Sequence, residues 1–174
     1  VDGNRVTLED FRGSLGEGSY QGTGTARLSG GSVRDYHLDI TADKLGIESS
    51  FYRGPLSAEM HVSEGDFYGQ TLPKIQASAN LENALISVPT IPDTDSELPH
   101  VILDLDVDMG RGVHFYSSQL YDIWLVGRAH FGGTTRYVSP SGSISVRKGN
   151  FTYNTKRFTI RDGEAYFNQV ESFL

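Results

Sequence analysis

Apolar and polar residues alternate along most of the chain, with a period of two residues. Within residues 142–167, Ile144, Val146, Phe158 and Ile160 occupy the apolar positions, and Gly, Asn and Asp residues interrupt the pattern at short intervals. A period of two is typical of β-strands that have one apolar and one polar face. We therefore predict that this segment forms strands of a sheet.

The same alternation recurs in most other segments, for example in residues 101–109, where apolar residues alternate with aspartates. Helical periodicity is limited to Leu8–Phe11, which is too short to form a stable helix alone. The sequence therefore predicts an all-β protein. Glycine-containing pairs and triplets predict turns between the strands. These turn signals are Gly30-Gly31, Gly54-Pro55, Gly110-Arg111-Gly112, Gly132-Gly133 and Asp162-Gly163.

An amphipathic sheet without helices must bury its apolar face in a sandwich, in a barrel, or by folding over on itself. Small residues such as Gly22, Gly24, Gly127 and Ala129 share the phase of the apolar residues. Glycine or alanine within a strand permits sharp bending or close backbone approach. We therefore predict a single strongly curved, mostly antiparallel sheet, folded into a taco-like trough with an apolar interior. A β-sandwich or a barrel is the alternative.

The 174 residues are enough for a single domain, and we assign residues 1–174 to one β domain. Residues 89–99 contain three prolines and three acidic residues, and we expect a long loop there. A linker between two smaller domains is the alternative for this segment. Because the chain begins with Val and ends without turn-forming residues, we expect it to be a fragment of a longer protein.

Composition and motifs argue against most chemical functions. The net charge of −7 disfavours nucleic-acid binding, and the lack of cysteine excludes disulfides and thiolate zinc sites. Asp104, Asp106 and Asp108 have a calcium-loop spacing, but Met109 and Phe115 stand where such a loop needs Gly and Glu. The histidines are scattered, and no nucleophile elbow or phosphate-binding loop is present. We expect a protein that is not an enzyme and has no cofactor or metal.

The C-terminal part carries a resemblance to a known family. Its pattern of glycines and alternating apolar residues resembles the TamB C-terminal domain family of the AsmA-like superfamily, over about residues 100–170. The matching positions are Gly142, Ile144, Val146, Gly149, Phe151, Tyr153, Phe158, Ile160, Gly163, Ala165 and Phe167.

The resemblance implies a segment of a taco-shaped β groove that spans the periplasm, in a full-length protein anchored in the inner membrane. It implies transport of phospholipid acyl chains between the inner and outer membranes, with membrane contact through the full-length protein. It also implies a role in the assembly of outer-membrane proteins through a barrel partner. It implies no catalytic residues. An assembly or scaffold module that binds such a barrel by β-augmentation is therefore the alternative function.

Side chains in the apolar phase are our candidates for the lining of a lipid groove. We expect the lipid headgroups to remain outside it, in water. The sixteen candidates are Leu38, Ile40, Met60, Ile75, Leu81, Ile86, Leu103, Leu105, Val107, Ile123, Leu125, Phe131, Ile144, Val146, Phe158 and Ile160.

Overall fold

The computed structural model describes residues 4–87, 99–117 and 120–167, and within these residues it contains strands and turns but no helix. Accordingly, the described part of the chain has no helix that is long and apolar enough to cross a membrane. The strands are β1 (Arg5–Leu15), β2 (Gly18–Ser29), β3 (Ser32–Glu48), β4 (Tyr52–Phe67), β5 (Gln70–Leu81), β6 (Leu85–Ser87), β7 (Ile102–Ser117), β8 (Tyr121–Thr134), β9 (Tyr137–Tyr153), β10 (Lys156–Ile160) and β11 (Gly163–Phe167).

All eleven strands belong to one sheet, in the order β1-β2-β3-β4-β5-β7-β8-β9-β10. Strand β6 lies between β4 and β7, and β11 pairs with β9. Neighbouring strands are antiparallel except where β5 and β6 pair in parallel with β7. The predicted fold class is confirmed: the protein is all-β, with one curved, mostly antiparallel sheet that forms a trough.

A line of irregularities crosses the sheet and divides its long strands into two arms. Strand β3 places two residues, Asp43 and Lys44, opposite the single residue Ser57 of β4, and β7 has a bulge between Met109 and Val113. The same line interrupts the chain between β5 and β6, at residues 82–84, and between β10 and β11, at residues 161–162. Bulges bend a strand and increase its twist. We call this line the crease, because the sheet folds over along it.

The buried core lies on the crease. Leu81, Met109, Val113, Leu125 and Ala129 form a cluster of buried side chains. Partly buried residues from both arms pack against this cluster, among them Val107, Phe131, Phe115 and Ile123. The two arms therefore fold towards each other over a common set of core side chains, which we call the floor of the trough.

Away from the floor the sheet remains open. The accessible surface of the chain is 12563 Å². A compact monomer of 19.1 kDa would expose only about 8,400 Å². Among the described residues, only seven hydrophobic side chains are fully buried. The sheet therefore forms an open trough rather than a closed sandwich.

Three of the turn predictions are wrong. Gly54-Pro55, Gly110-Arg111-Gly112 and Gly132-Gly133 lie inside β4, β7 and β8. The physical reason is that glycine serves bulges and bends within strands as well as the turns between them. The turn at Gly30-Gly31 is confirmed. The predicted 89–99 loop lies outside the described residues, apart from Pro99.

Candidate binding site

Strand pairing places all sixteen candidate lining residues on the same face of the sheet. Residues that lie directly opposite each other in neighbouring strands share a face. One such row runs from Ile40 through Met60, Ala77 and Leu105 to Phe131. The other candidates lie on the same face, in neighbouring rows that run alongside this one. These rows form one continuous apolar surface from β2 to β10.

A row of mostly small residues lies between the row from Ile40 to Phe131 and the crease. It runs from Ala42 through Ala58, Ala79 and Val107 to Ala129. Small side chains leave room for the two arms to approach each other at the floor. Ala42, Ala58, Ala79 and Ala129 therefore mark the bend of the sheet, whereas Ala77, Gly22 and Gly24 lie in rows farther from it.

The candidates divide by burial into floor and wall. Leu81 and Leu125 are buried in the floor cluster and pack against protein on all sides. Phe158 is 43% exposed, and the remaining thirteen candidates are half-buried. We call these half-buried side chains the wall. The wall, and not the floor, presents apolar surface that a ligand can contact.

An open apolar surface lies where β1, β2 and β3 meet. A depression of about 250 Å³ is lined there by residues that include Val6, Leu8, Ala26, Tyr36 and Leu38. Val6 and Leu8 are 39% and 48% exposed. Of these five, the sequence analysis selected only Leu38, since the bulge between Leu8 and Phe11 interrupts the alternation in β1. This end of the trough has room for an apolar ligand without rearrangement.

The arm that contains β6 and β10 is lined by aromatic rings, of which the sequence analysis selected only Phe158. Phe115 stacks on Tyr121 at 4.6 Å between ring centroids, and Phe151 stacks on Phe158 at 4.9 Å. Tyr52 packs against the floor, and its hydroxyl donates a 2.7 Å hydrogen bond to the carbonyl oxygen of Pro55. Phe151 shares the phase of Phe158 across the hairpin, which is a sequence signal that could have identified it.

The opposite face of the sheet carries the charges. Cross-strand pairs there include His61 Nδ1 with Asp39 Oδ1 at 2.6 Å, and Gln76 Nε2, which donates to Asp104 Oδ2 at 2.9 Å. Arg128 Nε donates to Asp108 Oδ2 at 3.1 Å, and this hydrogen bond raises the pKa of the guanidinium group. Exposed pairs of this kind stabilise a fold only slightly. They hold their own charges on the polar face, whereas Glu64 is in phase with Met60 and Val62 and lies on the apolar face.

Trp124 lies on this polar face, between residues of the neighbouring strands. Its ring stacks on His114 with 4.2 Å between centroids, and the Nζ atom of Lys148 lies 4.6 Å above it. His114 Nε2 is 2.7 Å from Asp122 Oδ1. Neighbours on both sides thus account for the position of Trp124. In the described part of the chain, no group of three His, Asp or Glu side chains could hold a metal ion.

Comparison with known proteins gives no relative on which to base an assignment. No protein-family model, no curated protein and no solved structure matches this chain.

Proposed function

We propose that the trough binds the acyl chains of lipids, and that this chain is a segment of a groove that conducts phospholipid between two membranes. The observation that supports this proposal is the wall. It is a continuous, uncharged apolar surface that half-buried side chains such as Ile40, Ile75 and Leu105 leave open to a ligand.

The size of the trough suits a lipid tail. Nine strand positions lie side by side, and at about 4.8 Å per strand the sheet is roughly 40 Å across. Each methylene group that leaves water contributes about 0.8 kcal/mol, so a chain of about sixteen carbons gains on the order of 10 kcal/mol at most. An acyl chain therefore has enough apolar surface to bind along the wall.

Conduction requires that the free energy gained by burying the acyl chain be nearly the same at every point along the trough. The wall rows consist of aliphatic, alanine and aromatic side chains, and the charged partners of the cross-strand pairs lie on the other face. None of the wall side chains is charged, so none would hold a lipid at one position; Glu64, in phase with Val62, lies on the same face beyond these rows. The headgroup stays in water at the opening of the trough.

The cellular setting is part of the same proposal and is supported by the family resemblance described above. We place the chain in the periplasm, as part of a longer protein anchored in the inner membrane. Its ligand is a phospholipid or another acyl lipid.

The test compares a charge on the wall with the same charge on the polar face. Leu105→Asp introduces a carboxylate into the wall row between Ala77 and Phe131. Asn80→Asp adds the same charge at an exposed position in β5. Binding of a fluorescent fatty acid, and lipid retained through purification, should fall about tenfold or more in Leu105→Asp and remain unchanged in Asn80→Asp.

The stability of both variants is measured by thermal unfolding, so that loss of binding is separated from loss of fold. A Leu105→Asp protein that folds and binds the fatty acid as the wild type does would contradict the proposal. Purified wild-type protein that neither carries nor binds an acyl lipid would contradict it as well.

A second candidate function is an assembly module that pairs with a strand of an outer-membrane barrel protein. The supporting observation is that, among the described residues, β1 pairs with β2 alone and β10 and β11 pair with β9 alone, so that an edge lies at each end of the sheet. An edge strand offers unpaired backbone groups to a partner strand. If this function holds, Thr159→Pro in β10 should abolish barrel binding, whereas Leu105→Asp should leave it intact.

A further inference from the structure

The charges of this acidic protein are unevenly distributed along the chain. The whole chain has a net charge of −7, yet residues 123–161 contain seven Lys and Arg residues and no Asp or Glu. This segment comprises most of β8, all of β9 and β10, and the turns between them. One edge of the sheet is therefore basic.

Most of this charge is concentrated at one hairpin. We define the basic hairpin as residues 147–161, which carry Arg147, Lys148, Lys156, Arg157 and Arg161. All five side chains are exposed. Within the described part of the chain, none of the five has an acidic partner within 4.0 Å, in contrast to Arg128, which pairs with Asp108. Their charges are thus available to an external anion.

The other face of the same hairpin is aromatic. Phe151 and Phe158 lie opposite each other on the trough side and are 40% and 43% exposed, and Tyr153 at the tip is 72% exposed. Strand pairing places Lys148 beside Trp124 and Arg157 beside Thr152, on the polar side of the sheet. Lys156 pairs with Tyr153 and shares the side of the rings, so the hairpin carries its three rings and one cation on the trough side and Lys148 and Arg157 on the polar side.

We propose that the basic hairpin docks onto the surface of a bilayer that contains anionic lipids. Lys and Arg residues near such a surface are attracted to its negative potential, and aromatic rings favour the interface between headgroups and acyl chains. The exposed cations of the hairpin can contact lipid phosphates while the exposed rings of Tyr153 and Phe158 enter the interface between headgroups and acyl chains.

The geometry favours a bilayer over a nucleic acid. Single-stranded nucleic acid is bound by a surface on which cations and stacking rings lie side by side, so that one strand contacts both. Here only Lys156 shares the side of the rings, and Lys148 and Arg157 lie on the other side of the hairpin. The rest of the protein, which carries the excess of acidic residues, would also repel a long polyanion that extended beyond the hairpin.

This inference does not depend on what the trough binds. The basic hairpin would attract an anionic bilayer even if the wall bound no acyl chain. Vesicle binding and fatty-acid binding can therefore succeed or fail separately, and each tests its own proposal.

The experiment is vesicle co-sedimentation at low salt, with phosphatidylcholine vesicles that contain or lack about one third phosphatidylglycerol. The wild type should bind the anionic vesicles, lose them at high salt, and bind the neutral vesicles far more weakly. Lys156→Glu with Arg157→Glu should weaken binding to the anionic vesicles by about tenfold or more.

The matched control is Arg5→Glu with Arg34→Glu, two exposed arginines on β1 and β3, towards the opposite edge of the sheet. This control changes the net charge by the same amount and should bind within about twofold of the wild type. The conservative pair Lys156→Arg with Arg157→Lys should also retain binding. Equal loss in the hairpin variant and in the Arg5/Arg34 control would overturn the proposal.

Insertion of the aromatic face is measured with a Tyr153→Trp, Trp124→Phe variant, whose single tryptophan stands at the tip of the hairpin. Its emission should shift to the blue on anionic vesicles. Unchanged emission on bound vesicles would overturn the inserted geometry. Binding to duplex DNA or to an acidic protein, without binding to anionic vesicles, would overturn the choice of a bilayer.

Discussion

Asn83 and Gly112 face each other across the crease, and both have a left-handed backbone, with φ of 51° and 78°. A Cβ atom on Gly112 would lie only 3.1 Å from the Cα atom of Asn83. The backbone amide of Asn83 also donates a 2.9 Å hydrogen bond to the carbonyl oxygen of Arg111. The bulge in β7 and the break between β5 and β6 thus fit together as one structure, and this structure bends the sheet.

We therefore predict that Gly112→Ala destabilises the protein more than a glycine substitution at a turn. Gly69 has nearly the same φ of 77°, but nothing lies within 4 Å of its Cβ position. Gly69→Ala should cost about 1 kcal/mol for the backbone conformation alone, and Gly112→Ala about 2–3 kcal/mol. The free energy of unfolding in urea measures both. Equal costs would show that the contact with Asn83 does not constrain the crease.

The crease also shows how far the sequence could predict the fold. Alternation correctly predicted strands and the face on which residues such as Leu103, Leu105 and Val107 lie. Met109 and Val113 are four residues apart, but their partners Gly127 and Leu125 are only two apart, because the bulge adds two residues to β7. A local pattern cannot distinguish such a bulge from a turn, and this explains the wrong turn predicted at Gly110-Arg111-Gly112.

Strand order and burial depend on contacts distant in sequence, which alternation does not encode. The parallel pairing of β5 with β7 brings Ala77 beside Leu105. In the sequence Leu105 and Leu125 look equivalent, yet Leu125 is buried in the floor and Leu105 lies on the half-buried wall. The difference arises from position relative to the crease, which only the folded sheet defines.

Tyr52 should make the stability of the protein depend on pH in the alkaline range. Burial raises the pKa of its hydroxyl above the ordinary value of 10.0. The folded state therefore keeps the proton to higher pH than the unfolded state does. The resulting stabilisation is fully present below about pH 10 and is lost as the pH rises through the folded-state pKa.

Tyr52→Phe removes this group together with its hydrogen bond to Pro55. At pH 7 we expect the free energy of unfolding to fall by about 1 kcal/mol. At about pH 11 the difference from the wild type should shrink, since the wild type has lost part of its stabilisation there. Tyr137→Phe, at a tyrosine that is 77% exposed, is the control and should have no effect at either pH. A constant difference across this range would contradict the assignment to Tyr52.

The turn between β9 and β10 contains a residue type that is unfavourable for its conformation. Asn154 and Thr155 both have positive φ, 48° and 65°, as a two-residue hairpin turn of type I′ requires. Thr155 is β-branched, and such residues are rarely found at positive φ. Glycine is the preferred residue at the second position of this turn.

Thr155→Gly should therefore raise the free energy of unfolding by about 1 kcal/mol, although it removes the hydrogen bond that the Thr155 hydroxyl donates to the Asn154 carbonyl. Thr152→Gly, within β9, should instead lower it by about 1 kcal/mol, because glycine in a strand interior loses more entropy on folding. Urea unfolding of the two variants measures this opposite sign. A destabilised Thr155→Gly protein would show that the turn is not strained.

Alanines on the apolar face should tolerate larger side chains unequally, according to their distance from the crease. Ala129 is 1% exposed and lies between Val107 of β7 and Gly142 of β9. Ala129→Leu adds three carbon atoms to the packed floor and should cost about 1–3 kcal/mol of stability. Ala77 lies on the half-buried wall, so Ala77→Leu should change the free energy of unfolding by less than about 1 kcal/mol.

The two leucine variants also separate the floor from the wall as binding surfaces. The added side chain in Ala77→Leu occupies space along the wall, so this variant should bind a fluorescent fatty acid more weakly while remaining as stable as the wild type. Ala129→Leu should bind normally at temperatures where it stays folded, because its side chain does not face the open part of the trough. If Ala77→Leu loses as much stability as Ala129→Leu, the trough is filled by protein at the level of Ala77, and no acyl chain lies there.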